Sequence, residues 1–229
     1  MSYLRHFESN FNLDVATCMF KHIPLCQRNE LKSTKPFIKN NQLKLKKMRQ
    51  FSVPTRDQVE PKAQQIFDNL EKQLTFVPNL YAVLGHSPDA LEALSNFGWT
   101  IGKSSCNNKE LESIKLAVSE VNQCSYCLAA HTAISKMNGL TEDETLDLRA
   151  ATSDNPRFAA LAQLAKSVSE NRGKASNEAV ENFFSAGFDN KALIDLVGVV
   201  IEISFTNYLH NLTQIPVDFP QAKSLATSA

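Results

Sequence analysis

Periodicity is the feature that most restricts this chain. From Pro54 onward, apolar residues recur three and four positions apart and almost never alternate, the pattern of helices buried along one stripe. Val59, Ala63, Ile66, Phe67 and Leu70 share one face within 55–74, and Pro61 marks where its regular part can begin. Tyr81, Val83 and Leu84 make a short helix between Pro78 and Gly85-His-Ser-Pro88. Ser87 is placed to cap a helix from Pro88 to about Gly102, and Asn107 or Asn108 opens the next, with Leu111, Ile114, Lys115 and Val118 in phase. A central helix from about Cys124 to Asn138 stops at Gly139, and Thr141 with Glu144 forms a capping box for its successor. Three more helices follow, 154–171 before Gly173, 176–186 before Gly187, and a long one capped by Asp189 and reaching about His210. Asn138-Gly139, the one hairpin-like dipeptide, falls at a helix end rather than between strands. The predicted fold class is all-α.

At 229 residues the simplest organisation is one large domain preceded by an extension. Residues 1–47 hold Lys32, Lys35, Lys39, Lys44, Lys46 and Lys47 with few acids and no sustained period, which predicts a basic, poorly ordered segment. A mis-assigned start ahead of Met48, a targeting presequence and a basic arm all fit it. The domain proper is expected over 48–229. Formal net charge is zero, so the whole chain gives no reason to expect nucleic acid or an acidic membrane as a partner. The longest apolar run, Ala192 to Phe205, is interrupted by Asp195 and Glu202 and reads as a buried core helix. Five cysteines, three of them the scattered Cys18, Cys26 and Cys106, do not form a secreted disulfide framework. The expected compartment is the reducing cytoplasm, where a close cysteine pair is redox-active or metal-binding.

The informative segment is Glu120-Val-Asn-Gln-Cys124-Ser-Tyr-Cys127-Leu-Ala-Ala-His131. An unbroken helix puts all four functional side chains on one face. A break at Asn122-Gln123 puts Cys124 at a new helix N-terminus, where the dipole and free N–H groups favour a thiolate. Only a thiolate attacks an O–O bond or a disulfide. His131, one turn past Cys127, can take the thiol proton, and Glu120 can hold His131 in the useful tautomer. The attacking sulfur becomes a sulfenic acid, and condensation with the other thiol expels water. Each piece also has a bland explanation. Zinc needs a second Cys or His pair, and His6, His22, His86 and His210 offer none. The two thiols could be inert core, and Glu120 a solvated helix-end carboxylate. Cys106, in a polar loop, reads as a bystander, and His210 as a complement to a helix dipole. Tyr126, Trp99 and Phe97 could wall an apolar pocket, although aromatics at helical spacing are more often core.

The stretch Glu120 to Ile134, together with Val77-Pro-Asn-Leu-Tyr-Ala-Val-Leu-Gly-His-Ser-Pro88, Asn207-Tyr-Leu-His210-Asn and Pro216-Val-Asp-Phe-Pro220, resembles the alkylhydroperoxidase D-like branch of the carboxymuconolactone decarboxylase superfamily, peroxidase-related members in particular. The likeness covers about Arg49 to Pro220. It implies an all-helical homo-oligomer, often a trimer or hexamer, that reduces hydrogen peroxide or organic hydroperoxides without metal, haem or other cofactor. It further implies that Cys127 is peroxidatic, that Cys124 is resolving, and that His131 and Glu120 form a proton relay, with an external dithiol closing the cycle. By helix-terminus logic alone Cys124 would be the more acidic thiol. The decarboxylase members do not depend on this dithiol, so the redox branch is the better fit. A protein thiol–disulfide oxidoreductase or redox sensor, and a non-catalytic helical oligomer, are the competing expectations.

Overall fold

The computed structural model describes residues 51–225; the expectations for 1–47 lie outside these. Among the described residues every regular element is helical, so the fold class is all-α. After a 3-10 turn at Arg56–Gln58 come α1 (Pro61–Leu74), α2 (Asn79–Leu84), α3 (Pro88–Ile101), α4 (Asn108–Val121) and α5 (Ser125–Met137). They are followed by α6 (Glu142–Ala150), α7 (Pro156–Glu170), α8 (Asn177–Ser185) and α9 (Asn190–Thr213).

Local chemistry fixes most of these ends. Pro61, Pro88 and Pro156 each stand in the first turn of a helix, where the missing N–H costs nothing. Asn107 and Thr141 each accept from the backbone three residues on, and Glu110 and Glu144 answer by accepting from the cap. Ser87 differs from expectation: its hydroxyl makes no capping bond. Gly139, Gly173 and Gly187 all take positive φ at the stops after α5, α7 and α8.

α4 is the axis of the fold. Leu111, Ile114, Leu116, Ala117 and Val118 are all buried on it, and α5, α6, α7 and α9 pack around it. At about 1.5–3 kcal/mol for each large apolar side chain, this helix anchors the main core, which continues through Tyr126, Leu161, Leu164, Phe183, Leu196 and Ile203. A second cluster of Ala63, Phe67, Leu84, Leu91 and Leu94 ties α1, α2 and α3 together.

α9 departs from the expectation of a wholly buried helix. It runs past His210 to Thr213, and by length and composition it is apolar enough to cross a membrane. Only one face is enclosed. Leu196, Val199, Ile203, Asn207 and His210 point inward, whereas Ile194, Ile201, Tyr208 and Leu212 are exposed. The charged interruptions sit where packing uses them: Asp195 pairs with Lys191 and Ser105, and Glu202 is buried.

Candidate functional site

The two cysteines sit where α4 hands over to α5. The helix breaks at Asn122-Gln123, with Gln123 in the left-handed region at φ 52°, a conformation that costs a non-glycine residue about 1 kcal/mol. That turn makes Cys124 the N-cap of α5, and its sulfur accepts the Cys127 backbone N–H at 3.3 Å. Both thiols are buried and free of disulfide.

The sulfurs act as a pair. The Cys127 thiol, by hydrogen bonding to Cys124, is the main cause holding Cys124 well below the usual thiol range; burial opposes this, and His210 and the Cys127 N–H add to it. The same hydrogen bond, then burial, pushes Cys127 up, against the amide of Asn207 and the hydroxyl of Thr206. Thr206 Oγ1 lies 3.8 Å from the Cys127 sulfur. The N-cap position of Cys124 favours the anion on that sulfur over Cys127, as a helix N-terminus does.

α9 supplies the other wall. Asn207 is fixed by Asn122 at 2.9 Å and Ser119 at 3.2 Å, and Asn211 donates to the Asn122 carbonyl at 2.7 Å, which locks the turn to α9. His210 is buried against the Tyr126 ring at 5.3 Å, with Nε2 3.2 Å from the Ile215 carbonyl oxygen. Burial lowers its proton affinity, but the Cys124 sulfur, the Ile215 carbonyl and Asn211 together raise it above the ordinary value. His210 therefore belongs to the sulfur site; a dipole role at the helix end, the sequence reading, is not what places it. Its position in phase with Ile203, Thr206 and Asn207 was the available signal.

Of the expected Glu120–His131 relay the structure keeps only the histidine near the motif. Glu120 is turned away and pairs with Arg149 Nε at 2.7 Å, because an eight-residue step along α4 separates it from the side chain that meets the imidazole. That side chain is Glu112, whose Oε2 lies 2.8 Å from His131 Nδ1. Burial pushes the Glu112 carboxyl up, yet His131, by charge and hydrogen bond, and Lys115 hold it below its ordinary value. Glu112 was legible as an acid in phase with the core residues Leu116 and Ser119.

The apolar pocket expected around Tyr126, Trp99 and Phe97 does not form. Tyr126 is core, donating to Asp218 at 2.6 Å and accepting from the Leu80 N–H at 3.2 Å, while Trp99 and Phe97 are exposed on α3. Among the described residues no group of three His, Cys, Asp or Glu side chains is placed to hold a metal ion.

The model of the carboxymuconolactone decarboxylase family matches residues 88–167, which include Glu112, both cysteines of the pair and His131. The described residues share the fold of the alkylhydroperoxidase D core. The peroxidase-related protein of Ralstonia eutropha JMP134, described as an alkylhydroperoxidase AhpD core, superposes with a TM-score of 0.67 at 22% identity, covering 74% of this chain and 92% of that one. A peroxidase-related protein of Silicibacter sp. TM1040 gives 0.64 at 23% identity, over 76% and 94%. The debrominase Bmp8, in complex with 2,3,4-tribromopyrrole, gives 0.64 at 17% identity, over 73% and 91%. No curated protein sequence matches the chain.

Proposed function

We propose that the chain is a thiol-dependent peroxidase that reduces hydroperoxides through Cys127 and Cys124. The observation carrying this reading is a buried sulfur pair, the Cys124 sulfur accepting the Cys127 N–H at 3.3 Å, beside a histidine–carboxylate pair, His131 with Glu112 at 2.8 Å. Transfer of the Cys127 proton to Cys124, or to His131 one turn along α5, leaves a Cys127 thiolate supported by the amide of Asn207. That thiolate attacks the peroxide: an S–O bond forms, the O–O bond breaks, and the departing alkoxide or hydroxide takes a proton from His131. Glu112 fixes the imidazole through Nδ1 and supports its charged form. The Cys124 sulfur then attacks the sulfenic acid: the S–S bond forms, the S–O bond breaks, and the departing hydroxide takes the proton held on Cys124, or one delivered from solvent through His131, and leaves as water; an external dithiol then reduces the disulfide. No metal or organic cofactor enters these steps, and the reducing cytoplasm supplies the electrons.

The same two-electron oxidation of a dithiol could drive a reductive dehalogenation, the chemistry the name of Bmp8 suggests. The deciding experiment is stoichiometric hydroperoxide followed by mass mapping. A Cys124–Cys127 disulfide with matching loss of peroxide supports peroxidase action; an unoxidised pair overturns it.

We further propose that the chain is a homo-oligomer, a trimer or hexamer, built on the outer face of α9. Ile194, Val197, Ile201, Phe205, Tyr208 and Leu212 form one exposed apolar stripe there at coiled-coil spacing. Light scattering should show Ile201→Asp shifting the protein toward monomer; an unchanged mass would remove this face from the assembly.

A further inference from the structure

The inward face of α9 steps in fours through Glu202, Thr206 and His210. Residues at this spacing lie one above another on a helix. Thr206 meets the Cys127 sulfur and His210 stands beside Cys124, so Glu202 continues the row one turn beyond Cys127.

Glu202 is 8% exposed, and its Oε2 is buried with no hydrogen-bond partner among the described residues. Facing it is Gly98 of α3, where an added Cβ would lie 3.4 Å from Glu202 Oε1. A side chain at position 98 would therefore sit directly against the carboxylate. Ser95, one turn earlier on α3, also carries a buried hydroxyl without a partner. It lines a cavity of about 470 Å³ between α1 and α3, together with Leu70, Asn96 and Trp99. Tyr81 of α2 closes the group: its hydroxyl is pushed up to about 12, by burial first and then by the charges of Glu202 and Cys127. A phenol held protonated is a donor.

An unmet buried carboxylate oxygen is costly, and such atoms in a folded protein call for a ligand or a role. We propose that Glu202 is the substrate-recognition residue of the dithiol, accepting a hydrogen bond from the O–H of a hydroperoxide and holding its terminal oxygen against Cys127. This inference rests on the peroxidase reading and adds to it a preference for substrates that carry a hydrogen-bond donor on the oxygen under attack. Electrons and atoms balance as above, because Glu202 binds and transfers nothing.

The test compares two oxidants of Cys127, followed by mass spectrometry of its peptide in a Cys124→Ser background. tert-Butyl hydroperoxide offers an O–H; methyl methanethiosulfonate offers no donor. Glu202→Ala should lower the hydroperoxide rate constant about 10- to 100-fold, the loss of a hydrogen bond to a charged group, and leave the thiosulfonate rate within about twofold. Gly98→Ala, which favours the helix while covering the carboxylate, should also slow the hydroperoxide alone. Equal rates for wild type and both variants overturn the proposal, as does a parallel fall with both oxidants, which would mark Glu202 as acting on the thiol. Wild type inert to hydroperoxide yet labelled by thiosulfonate would instead overturn the peroxidase reading beneath it.

Discussion

Cys106 and Cys124 are both buried thiols in one core, and they have moved in opposite directions. Cys106, after α3, is pushed up to about 11 by burial and then by the nearby Glu110 and Asp195. Cys124 is more enclosed, at 0% exposure against 7%, yet is held below the ordinary thiol range because donors converge on it. Burial by itself silences a thiol. The same burial with an N-cap geometry, a partner S–H and an imidazole holds a charge in place.

The largest expected effect would break that contrast outright. Cys127→Ser should lower thiol-dependent peroxidase turnover at least about 100-fold, whereas Cys106→Ser should stay within about twofold; steady-state peroxide consumption reads both. Comparable losses would mean that the buried, silent thiol also takes part. Next comes the relay. Glu112→Gln should cost about 10- to 100-fold, since it leaves His131 without its charged partner, while Glu120→Gln should leave the rate within about twofold.

A pH series sharpens the comparison at the level of the thiols. A lowered pKa keeps the anion present down to the folded value, and the anion is lost as pH falls through it; a raised pKa delays the anion until pH climbs to it. Brief iodoacetamide treatment should therefore label the Cys124–Cys127 peptide at neutral pH, with labelling declining on acidification. Cys106 should label only as pH rises toward 11. Equal labelling of both at neutral pH would show that access, not charge, separates them. The smallest effect is on stability. Glu120→Gln removes the partner of Arg149, whose side chain is 4% exposed, and should cost about 1–3 kcal/mol in denaturant unfolding.

The helices were legible because their information is local. Period, proline at the first turn and glycine at the stop mark α1, α5, α7 and α8 to within a residue or two. Between the two conformations open for the motif, only the fold could choose, and it chose the break at Gln123. The site was legible only where its parts are neighbours in sequence, as Cys124, Cys127 and His131 are. Glu112 lies twelve residues before Cys124, and Thr206, Asn207 and His210 about eighty after it, so their meeting is a product of packing. Glu120 was favoured because it is near along the chain, although its own helix turns it toward Arg149.

α9 carries the sulfur site's partners on one side and the apolar stripe on the other, within 24 continuous residues. A rod of this kind cannot rotate on its outer neighbours without also turning Thr206 and His210 against the cysteines. In the proposed oligomer the reactivity of the dithiol would gauge how each copy is seated, and loosening that contact should register first as a change in thiol acidity.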